Sequence, residues 1–462
     1  MNFTFVIRSL RLRHSFVRSR ALFIIFNCLW IILIGGGCTT YAQRVTQIRA
    51  AYYENGIASA DTLLSTAIQK DRVNADVLKL DQAMIQLASG HAQEAEQTLR
   101  EVRDRFDALE ETSLSEKTLS YLTDDTRRAY AGEDYEKVLI RSFLALSNLM
   151  HDGGDAEAYC LQMIDKQEQV IAAGANAKGE NPKQSYPRVA FAPYLRGVLR
   201  ESTHNSYDDA QRSYAAVLNW QPAFLSARND LQRATTGRHS APGNGVLYVF
   251  TLVGRGPYKE AVSEIPSSAS LLIAGEILSS VGNNTVTPNV AAIQVPHLVA
   301  TENDIQSVAV HVGPQPVGDT ETVTDVTQLA INQHTAIYPS IVARAVARRC
   351  VKKGLLYGTK EATGSNRNTL SSVAIDMAGI VWEATENPDT RCWGLLPDKI
   401  QVLRVELPAG EHSITLRAVA NNGGLSRSPV TQQVRIGDSR NTYLLATFPH
   451  AQLVGKALVS EP

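Results

Sequence analysis

Acidic residues are missing from the first 53 positions: Glu54 is the earliest, whereas Arg8, Arg11, Arg13, Arg18 and Arg20 crowd the start. Cysteine is scarce, and the five present, Cys28, Cys38, Cys160, Cys350 and Cys392, form no C-x-x-C or Cys/His cluster, which excludes a structural zinc site. No H-E-x-x-H or G-x-S-x-G pattern occurs, so zinc peptidase and α/β-hydrolase chemistry lack their residues, and no catalytic residue, metal ligand or cofactor is expected. Charge of one sign is also missing. With 45 Lys+Arg against 46 Asp+Glu, the chain lacks the basic excess that a phosphate-backbone partner requires, so nucleic acid is excluded as main partner. Gly (30) and Pro (18) together fall well below the roughly 25–30% of low-complexity chains, and 44% apolar residues suffice for packed cores. At 462 residues, one core is too few and two domains are expected.

The beginning of the chain reads as an address. An Arg-rich stretch precedes the apolar run 21–34, interrupted only by Asn27. Fourteen residues make about 21 Å of helix, short of a ~30 Å bilayer core, which favours a removed signal over residues 1–37 rather than a spanning helix. Gly35-Gly36-Gly37-Cys38 then resembles the lipobox of bacterial lipoproteins, in which the cysteine is acylated. Gly35 stands where that pattern has Leu, Val or Ile; an ordinary signal peptide or an uncleaved anchor is the alternative. Loss of the leader with its five Arg leaves 40 Lys+Arg against 46 Asp+Glu, a net charge of −6. Residues 38–50 are expected as a tether. In an oxidising envelope Cys350 and Cys392 form the available pair, leaving Cys160 odd; three buried thiols are the alternative.

Residues 51–234 carry helical periodicity. Ala95, Leu99 and Val102 share one spacing with Ala210, Tyr214 and Val217, and Ala60, Leu64 and Ala67 precede the first set by 35 positions. Small residues let two antiparallel helices approach, and those four and seven positions on fill the seam. Gly132, Tyr135, Val138 and Ala145 repeat it loosely. The spacing resembles the second helix of a tetratricopeptide repeat and predicts an irregular array of four or five helix pairs, or else a bundle without repeat ancestry. Arg141, Asn148, Arg196 and Asn229 are candidates for a groove, and equally for a solvated face. Glu133-Asp134-Tyr135-Glu136 reads as acidic stabilisation of a helix start.

Residues 235–245, TTGRHSAPGNG, have the composition of a linker. In 246–462 the period changes. Val246–Val253, Ala291–Val295 and Val308–Val312 read as strands, Thr322–Gln333 and Pro339–Lys353 as helices, the second ending before Gly354. Val402–Leu407 and His412–Ala418 across Pro408-Ala409-Gly410 read as a hairpin, followed by strands at 430–436 and 442–448. The fold class expected is α+β: a tetratricopeptide-like helical array, then a mixed antiparallel β domain with two or three helices.

Gly254-Arg255-Gly256-Pro257 reads as a tight turn, lacking the remaining residues of a phosphate-binding loop. Arg344, Arg348, Arg349, Lys352 and Lys353 form a basic stripe suited to anionic head groups or an acidic partner, or to solvent. Glu411 and His412 are strand neighbours and point apart. Trp393, Trp382 and Tyr443 are candidate sugar-stacking surfaces, and equally core residues.

Four stretches together, 130–139, 254–259, Asp389–Pro397 and Leu407–His412, resemble a family of uncharacterised bacterial lipoproteins with a tetratricopeptide-like helical half and a β-rich C-terminal half. The resemblance implies an envelope location, anchored through Cys38 to the outer membrane and facing the periplasm, an envelope protein partner, and no known catalytic residue. Some members are tied functionally to lipoproteins that activate peptidoglycan synthases. The expected function is therefore a lipid-anchored scaffold; the alternative is a peptidoglycan- or carbohydrate-binding protein or enzyme with a cleft between two domains.

Overall fold

The computed structural model describes residues 41–115, 129–176, 179–280, 292–362 and 388–461. Residues Gln47–Pro462 form one compact unit. Cys38 and Trp382 lie outside the described residues. No helix among the described residues is long and apolar enough to cross a membrane.

The protein is α+β. Among the described residues nine α-helices come first: α1 (Tyr41–Tyr53), α2 (Ile57–Lys70), α3 (Ala75–Ser89), α4 (Ala92–Ser115), α5 (Asp134–Leu149), α6 (Ala156–Ala172), α7 (Phe191–Glu201), α8 (Tyr207–Trp220) and α9 (Ser226–Thr236). From α2 to α9 most helices pack on the next in sequence. The spacing of small residues sets those seams: Ala60, Ala95 and Ala210 are wholly buried, with Leu64, Leu99 and Tyr214 one turn on. Residues 41–50, expected as tether, belong instead to α1, where Ile48 and Tyr52 are core residues.

The C-terminal region is a sandwich. Strands β1 (Asn244–Val253), β6 (Glu321–Asp325), β7 (Lys399–Pro408), β10 (Asn441–Phe448) and β11 (Leu458–Val459) make a five-stranded sheet in the order β11-β10-β1-β7-β6. It is antiparallel except for the parallel pair β1–β10. Strands β4 (Ile305–Val312), β5 (Gln315–Asp319), β8 (Gly410–Ala420) and β9 (Val430–Ile436) make a four-stranded sheet in the order β5-β4-β8-β9. Leu247, Val249, Val405 and Leu444 from the first sheet meet Val308, Ile414, Leu416 and Val434 from the second in one core. The opposite face of β1 turns to the helices, where Phe250 meets Phe191 of α7 edge-on at 5.9 Å.

A third element is a two-stranded ribbon, β2 (Tyr258–Glu264) with β3 (Ile293–Val299), packed with α10 (Ser268–Ser280) and α11 (Val326–Ala362) around Val295, Ala274, Val342 and Val346.

Three local expectations are corrected. The segments flanking Pro408-Ala409-Gly410 are not a hairpin: β7 pairs with β1 and β6, while β8 pairs with β4 and β9. The chain turns the corner between sheets, and both strands still alternate into the same core, so their sequence pattern is that of a hairpin. Pro339 does not open a helix, because α11 runs through it for 37 residues and Gly354 lies inside; Thr335, whose carbonyl loses its helical partner, is exposed. Residues 322–325 belong to β6, not to a helix. The stretch 235–245 is packed: His239 is buried, its Nε2 donating to Asn441 Oδ1 at 2.7 Å, and Arg404 donates to its carbonyl.

Candidate functional site

The groove of the helical array is filled by the chain's own segment 389–397, and two buried carboxylates hold it. Asp81 of α3 accepts from the Leu395 N–H at 2.8 Å, and Glu136 of α5 accepts from the Trp393 N–H at 2.7 Å. Glu136 also accepts from the Tyr130 hydroxyl at 2.6 Å and the Glu133 N–H at 3.0 Å, so its role at the helix start and its role as receptor share one side chain. Trp393 is wholly buried, its ring 5.2 Å from Phe143. Arg391 donates to Asn74 at 3.2 Å and lies over the Tyr130 ring at 5.2 Å. Burial raises the pKa of both carboxyls, that of Asp81 up to about 7, while the amide donors and Arg49 oppose the rise.

The turn after β1 clamps the segment from the other side. Gly254 N–H donates to Phe448, Arg255 N–H to the Asn303 side chain, and Gly256 N–H to Leu396 at 2.7 Å. All three amides are spent, so the turn has none to offer a phosphate. A Cβ on Gly256 would stand 2.6 Å from the Leu396 carbonyl oxygen, which is why a side chain is not accommodated.

Beside this filled groove lies an open cleft of about 550 Å³ between the start of α5, the end of α6, α10 and α11. Its acidic groups are Glu133, Asp134 and Asp389, and each has a cationic partner. Glu133 meets Lys259, Asp134 meets Lys183 at 2.7 Å, and Asp389 meets Arg391 at 2.7 Å. Burial works against the Lys259 ammonium, but Glu133, Asp389 and Glu136 outweigh it and raise its pKa above the ordinary Lys value. His334 lines the cleft with Nε2 unbonded; burial lowers its pKa to about 4, so it is neutral at pH 7.

The basic stripe is divided by the fold. Arg344 is exposed and Arg348 buried, and both line the cleft. Arg349 turns to the Ala292 carbonyl at 2.8 Å. Lys352 and Lys353 fall in α11, with side chains outside the described residues. Cys350 and Cys392 are not paired: both are free and buried, Cys350 against α10 and β3, Cys392 in the inserted segment, where burial and then Glu136 push its thiol up to about 12. Cys160 is free and buried as well. The sugar-stacking candidates Trp393 and Tyr443 are core residues.

Three of the four groove candidates bond within the array. Arg141 donates to Asp107 and to the Lys137 carbonyl, both at 2.7 Å, Asn148 donates to Asp152 at 2.8 Å, and Arg196 donates to Ser213 at 3.2 Å. Asn229 is exposed. His412 bonds the Pro408 carbonyl at 2.8 Å, apart from Glu411. Asp81 and His334 were missed by sequence reasoning, and Lys259 was read only as the end of the 254–259 stretch; for Asp81 the signal was a charged residue among the apolar positions of a helix. Comparison with family models, with curated proteins and with solved structures finds no match.

Proposed function

We propose that this chain is a lipid-anchored scaffold of the bacterial envelope, tethered through Cys38 to the outer membrane and facing the periplasm, where it holds an envelope protein partner. The Arg-rich leader, the Gly-Gly-Gly-Cys run and the resemblance to bacterial lipoproteins support the location. The observation that carries the scaffold reading is the segment 389–397 held inside the array by Asp81 and Glu136. It makes helices and sandwich one unit, which presents outer surfaces to a partner in a fixed arrangement rather than a free peptide groove. Crosslinking in cells followed by mass spectrometry tests this: one envelope protein recovered in stoichiometric yield is expected, and recovery of none, or of the chain in the cytosol with its leader intact, would overturn it. Membrane fractionation unchanged by Cys38→Ala would remove the anchor.

A second reading, a ligand-binding protein, is favoured by the cleft of about 550 Å³, a size within the usual range for small-molecule sites.

A further inference from the structure

We propose that the pocket where the end of α8 meets β6 and the first turns of α11 binds one neutral sugar ring. The proposal goes beyond the scaffold reading and needs neither the anchor at Cys38 nor the larger cleft.

Size and surface come first. The pocket encloses about 240 Å³, below the roughly 300–1,000 Å³ of sites for drug-sized ligands, so it suits a single ring rather than a chain. Its aromatic surface is Trp220, the last residue of α8, which is half-buried, whereas Trp393 is wholly buried in the core. Arg188 lies over the indole at 5.4 Å, and Glu168 holds both terminal nitrogens of that guanidinium. The Arg188 charge is thus matched, and the face it covers is closed to a ligand cation. Val323 and Leu329, both buried, add apolar lining for the C–H groups of a ring.

Unspent polar groups give the chemistry. Asp325, at the end of β6, accepts the Gln328 N–H through Oδ1 at 2.7 Å, and its Oδ2 has no partner among the described residues. Lys399 acts on Asp325 from beyond ion-pair distance and is itself paired with Asp398 at 3.2 Å. Gln328 and Asn332 stand four residues apart on α11, on one face, and Gln328 Nε2 donates to Asn332 Oδ1 at 2.7 Å. That bond leaves Gln328 Oε1 as an acceptor and Asn332 Nδ2 as a donor, neither with a partner among the described residues. A hydroxyl both donates and accepts, so neighbouring hydroxyls on one ring can satisfy Asp325, Gln328 and Asn332 together. An alkylammonium would satisfy Asp325 but set its charge against the Asn332 donor, and an anion would meet the Asp325 carboxylate.

Saturation-transfer NMR on the purified full-length chain with methyl glucoside, methyl galactoside and N-acetylglucosamine tests the site, with sorbitol and tetramethylammonium as controls. Saturable transfer to the ring protons of at least one sugar is expected, with both controls at least tenfold weaker; the tightest of the three identifies the kind of ring. Trp220→Leu is expected to weaken binding at least tenfold by removing the planar surface. Asp325→Asn is expected to weaken it about tenfold, the loss of one charge-assisted hydrogen bond. Asn caps a helix as well as Asp does, so this variant keeps the bond to Gln328 and its denaturant midpoint should match the parent's. Absence of transfer to all three sugars, an equal response from sorbitol, a stronger response from tetramethylammonium, or an unchanged affinity in Asp325→Asn would each overturn the proposal. Such a failure leaves the crosslinking result of the scaffold reading untouched.

Discussion

The groove of the helical array and the cleft beside it share helix α5, yet the first is filled and the second open. In the groove the carboxylates of Asp81 and Glu136 face the backbone amides of Leu395 and Trp393, both of which are buried. In the cleft the carboxylates face side-chain cations, and Arg344 and Arg348 line the same space. The difference teaches where binding capacity resides. A buried acceptor satisfied by the chain's own amides is structure, whereas an open space lined by charged and apolar side chains has room for something else.

The strongest way to break this comparison is to remove the receptor in the groove. Glu136→Ala leaves the Trp393 N–H and the Tyr130 hydroxyl without their acceptor in a dry interior and is expected to cost about 3–5 kcal/mol, read as a lower denaturant midpoint at unchanged slope. A loss below about 1 kcal/mol would show that the segment is held by packing alone.

Asp81 gives an effect that depends on pH. Its pKa is raised by burial from the ordinary 3.8 to about 7, so the folded protein binds this proton more tightly than the unfolded chain. The stability from that proton is fully present below about pH 4 and is lost as pH rises through about 7. Asp81→Asn cannot titrate there, so its stability relative to the parent is expected to climb between these values and then level off. Denaturant midpoints of both chains across that range check the sign, and parallel profiles would remove Asp81 as a titrating group.

The cleft is expected to give the smallest change. Arg344→Gln alters an exposed side chain without an ion pair among the described residues, so its stability should stay within about 0.5 kcal/mol of the parent, measured in the same denaturant series. A loss approaching that of Glu136→Ala would mean that the arginine supports the fold.

How much was legible varies with the range of the interaction. The helix seams at Ala60, Ala95 and Ala210 were readable, because neighbours three and four residues away dictate them. Glu136 was readable as a helix-start residue, since Glu133 is local, but not as the receptor of Trp393, which lies 257 residues away. The strands β7 and β8 were readable, but not their separation into two sheets, because a sandwich corner and a hairpin demand the same alternation. The pairing of Cys350 with Cys392 was a matter of compartment chemistry, and the fold puts the two thiols into different clusters.

The sequence by itself determined the α+β class, the helical faces, most of the strands and the basic character of one face of α11, since each follows from periodicity and composition over a few neighbouring residues. Only the tertiary structure decided that the array's groove is filled from within, that Arg344 and Arg348 converge on a cleft while Arg349 turns away, and that three carboxylates there are already matched. The physical reason is that charge matching and amide capture act through space, between residues whose separation along the chain leaves no pattern to read.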